Sequence, residues 1–247
     1  IIEYGALFMN IISVENLHLS RGDVKIFSNF SLYIKENERV AILAHSGIGK
    51  TTLLDCIAGL VPKESGCVNS PKRLSYLFQE PRLLPWCSLE KNVLLPISEI
   101  LSEKEAKSRA EFFLSQVGLL ERKMSLPAKT SGGEKQRCAI ARAFAFPSSV
   151  LLMDEAFQSQ DFSLRLKLMQ LMEKLLETEK RTLVLVTHDI REALCLADRI
   201  ILLGKRPVEI ELDIKNLRNQ SIPERYISPN KEALEIEKEI LDLLCRK

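Results

Sequence analysis

The sequence predicts an α/β fold with a mainly parallel sheet, and three observations carry that prediction. Short aliphatic runs recur at Arg39-Val-Ala-Ile-Leu43, Val150-Leu-Leu-Met153, Thr182-Leu-Val-Leu-Val186 and Arg199-Ile-Ile-Leu-Leu203, the pattern of buried strands. Segments of helical periodicity separate them, and strands that alternate with helices assemble side by side in parallel. The chain is also large enough to bury such a sheet, with 247 residues, 46% of them hydrophobic. That length suits one domain, or a core with a small subdomain, at roughly 100–200 residues per domain.

From Ile11 to Ile34, apolar and polar positions alternate around the turn-like Arg21-Gly22-Asp23, which reads as antiparallel strands. The run Arg39 to Leu43 then enters a Gly-containing loop, and Thr51 to Leu60 reads as a helix ending at Gly59. Leu74 to Phe78 reads as a strand. Between Ser102 and Leu120 the apolar positions Ala106, Ala110, Phe113, Leu114 and Val117 recur at helical spacing, with acids early. After the strand at Val150 comes a helix with Leu164, Leu168, Leu171 and Leu175 on one face. The run from Thr182 leads into a helix from about Ile190, and Arg199 to Leu203 is a further strand. Asn216 to Asn230 is linker-like. Asn230 to Lys247 is charged and helix-prone, with Leu234, Ile240, Leu241 and Leu244 as its apolar positions.

Composition excludes several classes. With 35 Lys+Arg against 33 Asp+Glu the net charge is +2, so no global field favours nucleic acid, and no Lys/Arg cluster supplies a local one. Mixed charge with ample Leu, Ile and Val excludes a disordered chain. The apolar runs fall far short of the ~18 or more residues that span a bilayer. Residues 1–8 lack the basic and long apolar regions of a secretory signal, so no export is expected; Met9 is a candidate start, with residues 1–8 either a non-native leader or native sequence. The six cysteines, at 56, 67, 87, 138, 195 and 245, form no C-x-x-C pair, which leaves reduced core cysteines as the expectation.

Three strings carry chemistry. Ala44-His45-Ser46-Gly47-Ile48-Gly49-Lys50-Thr51 lies between a strand and a helix and ends in Gly-Lys-Thr, as a phosphate-binding P-loop does. Inward N–H groups and the helix N-terminus favour an anion, Lys50 would reach the β/γ-phosphates, and Thr51 would ligate Mg²⁺. Ala44 stands where the pattern has its first Gly, a change of one methyl. Alone, the string has an accidental turn as its alternative. At the end of a predicted strand, Asp154-Glu155 puts two carboxylates on the ligand edge of a parallel sheet, Asp154 for the Mg²⁺ shell and Glu155 to orient or deprotonate a water. Ser131-Gly132-Gly133-Glu134-Lys135-Gln136-Arg137 precedes a helical run and makes a second nest of N–H donors, with a plain helix cap as its alternative.

Together these strings, in this order from about Ile12 to Ile210, resemble the ATP-binding subunit of ABC transporters, the Ser131 string being similar to that family's signature motif. Gln79 matches its Q-loop, His188 in Thr187-His188-Asp189 its switch histidine, and Asp161 its D-loop aspartate. The resemblance implies a P-loop NTPase core with a mainly parallel sheet, an N-terminal antiparallel β subdomain and an inserted α-helical subdomain over about 80–145. It makes residues 10–215 one ATPase domain followed by a linker and helical tail over 216–247. ATP would be held by His45, Ser46, Gly47, Ile48, Gly49, Lys50, Thr51 and Thr52. It would be covered in trans by Ser131, Gly132, Gly133, Glu134 and Asp161 of a head-to-tail partner, a second copy or a paired ATPase subunit. Thr51, Gln79 and Asp154 would serve Mg²⁺, while Glu155 and His188 would act on the attacking water and the γ-phosphate, with Gln79 linking the metal site to a membrane partner.

Departures from the family pattern are Thr130 for leucine, Ala156 for proline and Gln160 for leucine. The adenine-stacking aromatic is replaced by Arg21, whose guanidinium plane could stack, or by Phe27. Lys50 and Ser131 stand only 81 residues apart (131 − 50), too close for the coiled-coil insertion of DNA-repair relatives. The strings Pro81-Arg-Leu-Leu-Pro-Trp86, Leu89-Glu-Lys-Asn-Val93 and Leu194 to Pro207 resemble the bacterial importers of nitrate, sulfonate, taurine and thiamine-precursor type solutes. Trp86 and Leu84 would offer apolar contact to a membrane permease, a plain buried loop being the alternative. With about 40 residues after the last strand-like element, little room remains for a regulatory barrel. The implied partners are permease subunits and, indirectly, a solute-binding protein, with the chain in the cytoplasm on the inner face of the membrane. The rivals are a soluble P-loop kinase or GTPase, although no Asn-Lys-x-Asp string is present, and a weakly catalytic interaction subunit.

Overall fold

The computed structural model describes residues 10–158 and 160–245, so the leader read at residues 1–8 and the start at Met9 lie outside the described residues. In chain order the elements begin with β1 (Asn10–Arg21), β2 (Val24–Lys35), β3 (Arg39–Leu43), α1 (Lys50–Ile57), β4 (Ser65–Asn69) and β5 (Ser75–Leu77). The helices α2 (Leu89–Leu94), α3 (Glu103–Gln116) and α4 (Gly132–Ala145) follow. The chain continues with β6 (Val150–Asp154), α5 (Phe162–Glu179), β7 (Thr182–Thr187), α6 (Ile190–Leu196), β8 (Arg199–Leu203) and β9 (Ile210–Lys215). It ends with α7 (Ile222–Ile227) and α8 (Lys231–Cys245). The chain divides into two compact units, one running to Lys72 and resuming at Arg181, the other spanning Arg73–Lys180.

In the first unit, β1 pairs antiparallel with both β2 and β4. Ile12, Val14, Leu17, Leu32 and Ile34 point into its core, the alternation expected of strands with one covered face. β3 lies between β7 and β8 and is parallel to both, and β9 closes the edge antiparallel to β8. Every residue of β3 and β7 is buried, which is why their sequences read as unbroken apolar runs. β4 and β9 escape the sequence reading. β4, Ser-Gly-Cys-Val-Asn, has no apolar face, and its place is set by backbone pairing to a strand about 50 residues earlier.

The linker-like stretch is also partly helical. α7 starts with a capping box between Ser221 and Glu224 and buries Ile222 and Tyr226. In α8 the inward face is Ala233, Ile236 and Ile240, whereas Leu234 and Leu241 face out. A 3.6-residue period admits both stripes, and docking selects the one that includes the small Ala233.

In the second unit, β5 and β6 run parallel. α3 buries Ala106, Ala110, Phe113 and Leu114, and Val117 just beyond its end is buried as well, the expected positions. Its capping box joins Ser102 and Glu105. α5 departs from expectation: its buried face is Leu168, Met169, Met172, Leu175 and Leu176, leaving Leu164 and Leu171 half-buried. The thioethers, unbranched and adaptable, fill that face in place of the leucine row. Three of the six cysteines, Cys56, Cys138 and Cys195, are buried; Cys67 and Cys245 are exposed, correcting the core assignment for those two. Burial pushes the Cys138 thiol up to about 12, so it stays protonated.

Candidate functional site

The parallel pairing of β3 with β7 sets Leu43 beside Thr187. The P-loop string and His188 therefore leave adjacent strands at the same carboxyl edge, where α/β sheets place ligands. Lys50, only 5% exposed, donates from Nζ to the carbonyls of Ala44 (2.9 Å) and His45 (3.2 Å). Its ammonium thus sits inside the loop. Ala44 is buried, and its carbonyl takes part in this arrangement, so the extra methyl is accommodated.

Gly49 has φ +136°, and a Cβ there would lie 2.7 Å from Ile26 Cγ2. His45, Ser46 and Gly47 are exposed, Ile48 is half-buried, Thr51 is exposed on the first turn of α1, and Thr52 is buried beneath it. The ring Nε2 of His45 lies 3.1 Å from the Leu244 carbonyl of α8. Arg21 is exposed at the end of β1. Phe27 cannot stand in for an adenine-stacking aromatic: it is fully buried against Phe30, ring centroids 5.2 Å apart, and lies under Gly49.

His188 is exposed on a braced backbone. Thr187 Oγ1 donates to Glu192 Oε2 (2.7 Å) and accepts from the Asp189 N–H (3.1 Å). Asp189 caps α6 by accepting from the N–H groups of Arg191 and Glu192, and the Tyr226 hydroxyl donates to its other oxygen at 2.8 Å. Each neighbour of the histidine is thus fixed.

The second unit repeats the plan. β5 and β6 pair Leu77 with Met153, so Gln79 and the Asp154-Glu155 pair emerge from one carboxyl edge. Asp154 is buried. Glu155 has φ +45°, a left-handed conformation that costs a non-glycine residue about 1–3 kcal/mol and is concentrated at functional sites. Gln158, absent from the sequence reading, joins the two exits: its Nε2 donates to Glu155 Oε2, and its Oε1 accepts from Gln79 Nε2 at 3.4 Å. Gln136, fully buried, donates to the Ala156 carbonyl at 2.7 Å, tying α4 to the turn after Glu155. A polar side chain inside an otherwise apolar helix face was the available signal for Gln136. Gln158 offered none.

Ser131 is the N-cap of α4 in a capping box with Glu134, whose carboxylate accepts from the Ser131 N–H at 2.8 Å. That bond, foremost, holds the Glu134 carboxyl below its ordinary range, and Arg122 sits 3.0 Å away. Ser131 and Gly132 remain exposed. Gly133 is buried, and a Cβ there would meet Leu164 Cδ2 at 2.6 Å. Asp161 caps α5, accepting from the Leu164 N–H at 3.0 Å. The Pro81–Trp86 loop is not buried. Arg142 holds it at the carbonyls of Pro81 and Arg82, Asn92 grips Leu84 at both N–H and carbonyl, and Trp86 is 74% exposed.

These features agree with three kinds of likeness. The family model for the ABC transporter matches residues 27–158. The aliphatic sulfonates import ATP-binding protein SsuB 1 of Agrobacterium fabrum is 36% identical over 94% of this chain and 83% of its own length. The SsuB 1 protein of Paracoccus denitrificans is 41% identical over 78% of both chains. Among solved structures, the dimeric ATP-binding cassette MJ0796, in a post-hydrolysis state bound to ADP and Pi, superposes with TM-score 0.72 at 31% identity, covering 83% of this chain and 98% of its own. With a family model across half its length and such relatives over most of it, the chain belongs to the ABC transporter family as an ATPase subunit.

Proposed function

We propose that the chain powers solute import by binding and hydrolysing ATP in a head-to-tail pair docked on membrane permease subunits. The observation that carries this reading is the double delivery of motifs to strand carboxyl ends, Lys50 with His188 in one unit and Gln79 with Asp154-Glu155 in the other. Lys50 and the P-loop N–H groups bind the phosphates. Glu155 takes a proton from the attacking water, and His188 steadies that water at the γ-phosphate. Ser131, Gly132 and Gly133 of the partner cover the nucleotide, with Glu134 and Asp161 bracing the covering helices as caps. Arg21, exposed at a strand end, is the candidate for stacking on the base.

The hydroxyl of Thr51, the carboxylate of Asp154 and the amide oxygen of Gln79 are hard oxygen donors, the kind Mg²⁺ takes alongside substrate phosphates. That ion, when bound, neutralises developing phosphate charge. Phosphate release by the complex should therefore fall to background when EDTA is added and recover with Mg²⁺. Release that persisted in EDTA would remove these three from the metal site.

The second unit supports a docking point for the membrane partner. Arg142 fixes the Pro81–Trp86 loop and also lines a cavity of about 200 Å³ with Leu74, Tyr76, Pro96 and Phe146. An exposed tryptophan on a loop that Arg142 fixes suits a helix end of a permease. Trp86→Ala should cut permease-stimulated hydrolysis and transport by about 10-fold, a typical hot-spot loss, while leaving ATP affinity unchanged. Undiminished transport by that variant would rule the loop out as the docking point. Among the described residues no helix is long and apolar enough to cross a membrane. Relatives named as import ATP-binding proteins support assigning the span and the solute site to other chains, a permease and a solute-binding protein, with this chain on the inner face of the membrane.

A further inference from the structure

The P-loop is gripped on two sides, and only one grip belongs to the nucleotide-binding set. Inside, Lys50 Nζ holds the carbonyls of Ala44 and His45. On the other side is Arg206, whose Nε donates to the Ile48 carbonyl at 3.1 Å and whose terminal nitrogen donates to the Gly47 carbonyl. Arg206 comes from the turn between β8 and β9. That turn is closed by Gly204 N–H to the Glu209 carbonyl (2.9 Å) and stitched to β2 by Val208 N–H to the Ile26 carbonyl (2.8 Å), with Val208 itself buried. The guanidinium thus stands on a fixed platform.

In a trans peptide the carbonyl and the following N–H point in opposite directions. Pinning the Gly47 and Ile48 carbonyls toward Arg206 turns the N–H groups of Ile48 and Gly49 the other way. For the first of them the direction is visible: the Ile48 N–H faces the His45 carbonyl at 3.5 Å, the same oxygen that Lys50 Nζ binds. These N–H groups therefore point to the side where Lys50 waits for phosphate. From this geometry we propose that Arg206 is a positioning residue for the nucleotide, presetting the P-loop amides for the phosphate chain without touching the substrate. A planar fork with two donors in fixed geometry suits two successive carbonyls.

The proposal rests on the nucleotide-binding reading, and the test separates the two. Affinities of the full chain for ATP and for inorganic pyrophosphate are measured by titration calorimetry for the parent, Arg206→Ala and Arg206→Lys, each held well below its own unfolding midpoint. If the parent binds neither, the nucleotide reading itself fails. If Arg206 presets the amides, Arg206→Ala should weaken both ligands by the same factor, about 10-fold, the loss of one to two charge-assisted bonds. Arg206→Lys should fall in between. Unchanged affinities in Arg206→Ala would overturn the proposal. So would a loss for ATP but not pyrophosphate, which would put the guanidinium on the base or ribose, or a loss that Arg206→Lys does not partly restore.

Discussion

Glu155→Gln should lower phosphate release by the intact complex about 10²–10⁴-fold, the range lost with a general base, while ATP affinity stays near that of the parent. Glutamine keeps the length and shape of the side chain, so the turn that places residue 155 at φ +45° is undisturbed. It also keeps an oxygen to accept the hydrogen bond from Gln158 Nε2. What it loses is the negative charge that attracts a proton from water. A subunit able to bind but not to cleave should then accumulate as an ATP-held dimer, visible by gel filtration as a shift that ADP does not produce. A fall of less than about 5-fold would remove Glu155 from proton transfer. Joint loss of ATP binding would show instead that the substitution had disturbed the P-loop side.

The parts of this molecule legible in the sequence are those where a local pattern and a global position coincide. β3, β6, β7 and β8 are buried on both faces, so their aliphatic runs declare them wherever they end up in the sheet. The P-loop, the Asp154-Glu155 pair and the Ser131 cap are also local, each a turn whose chemistry is spelled by adjacent residues. What stayed illegible depends on distant partners. Phe27 reads as a candidate for the base until the fold sets it under Gly49. Arg206 belongs to a string that carries only a family resemblance, with no role for the arginine, yet it meets Ile48 from 158 residues away. In α8, two stripes satisfy the same helical period, and only the docking surface chooses between Leu234 with Leu241 and Ala233 with Ile236.

Gly49→Ala is the substitution expected to do most harm to nucleotide binding without removing any functional group. Two independent costs fall on one methyl. The backbone at φ +136° is open to glycine and strained for any L side chain, by about 1–3 kcal/mol. The added Cβ would also sit 2.7 Å from Ile26 Cγ2, on a buried residue of β2 that has no room to withdraw, an overpacking cost of about 1–3 kcal/mol. The loop can escape both only by turning the Ile48–Gly49 peptide, which takes the Gly49 N–H off the phosphate side and undoes the hydrogen bond to Arg206. At about 1.4 kcal/mol per decade, ATP should bind about 100-fold more weakly or worse. Gly132→Ala is the matched control for the fold and for a subunit's own P-loop: its Cβ would meet nothing within 4 Å and its φ is ordinary, so thermal unfolding and ATP binding by the isolated subunit, which has no partner to cover the nucleotide, should stay near the parent's. Comparing thermal unfolding and ATP titration for the two variants separates a strained loop from a general intolerance of alanine. ATP affinity in Gly49→Ala within about threefold of the parent would mean that the phosphate is held without this loop conformation.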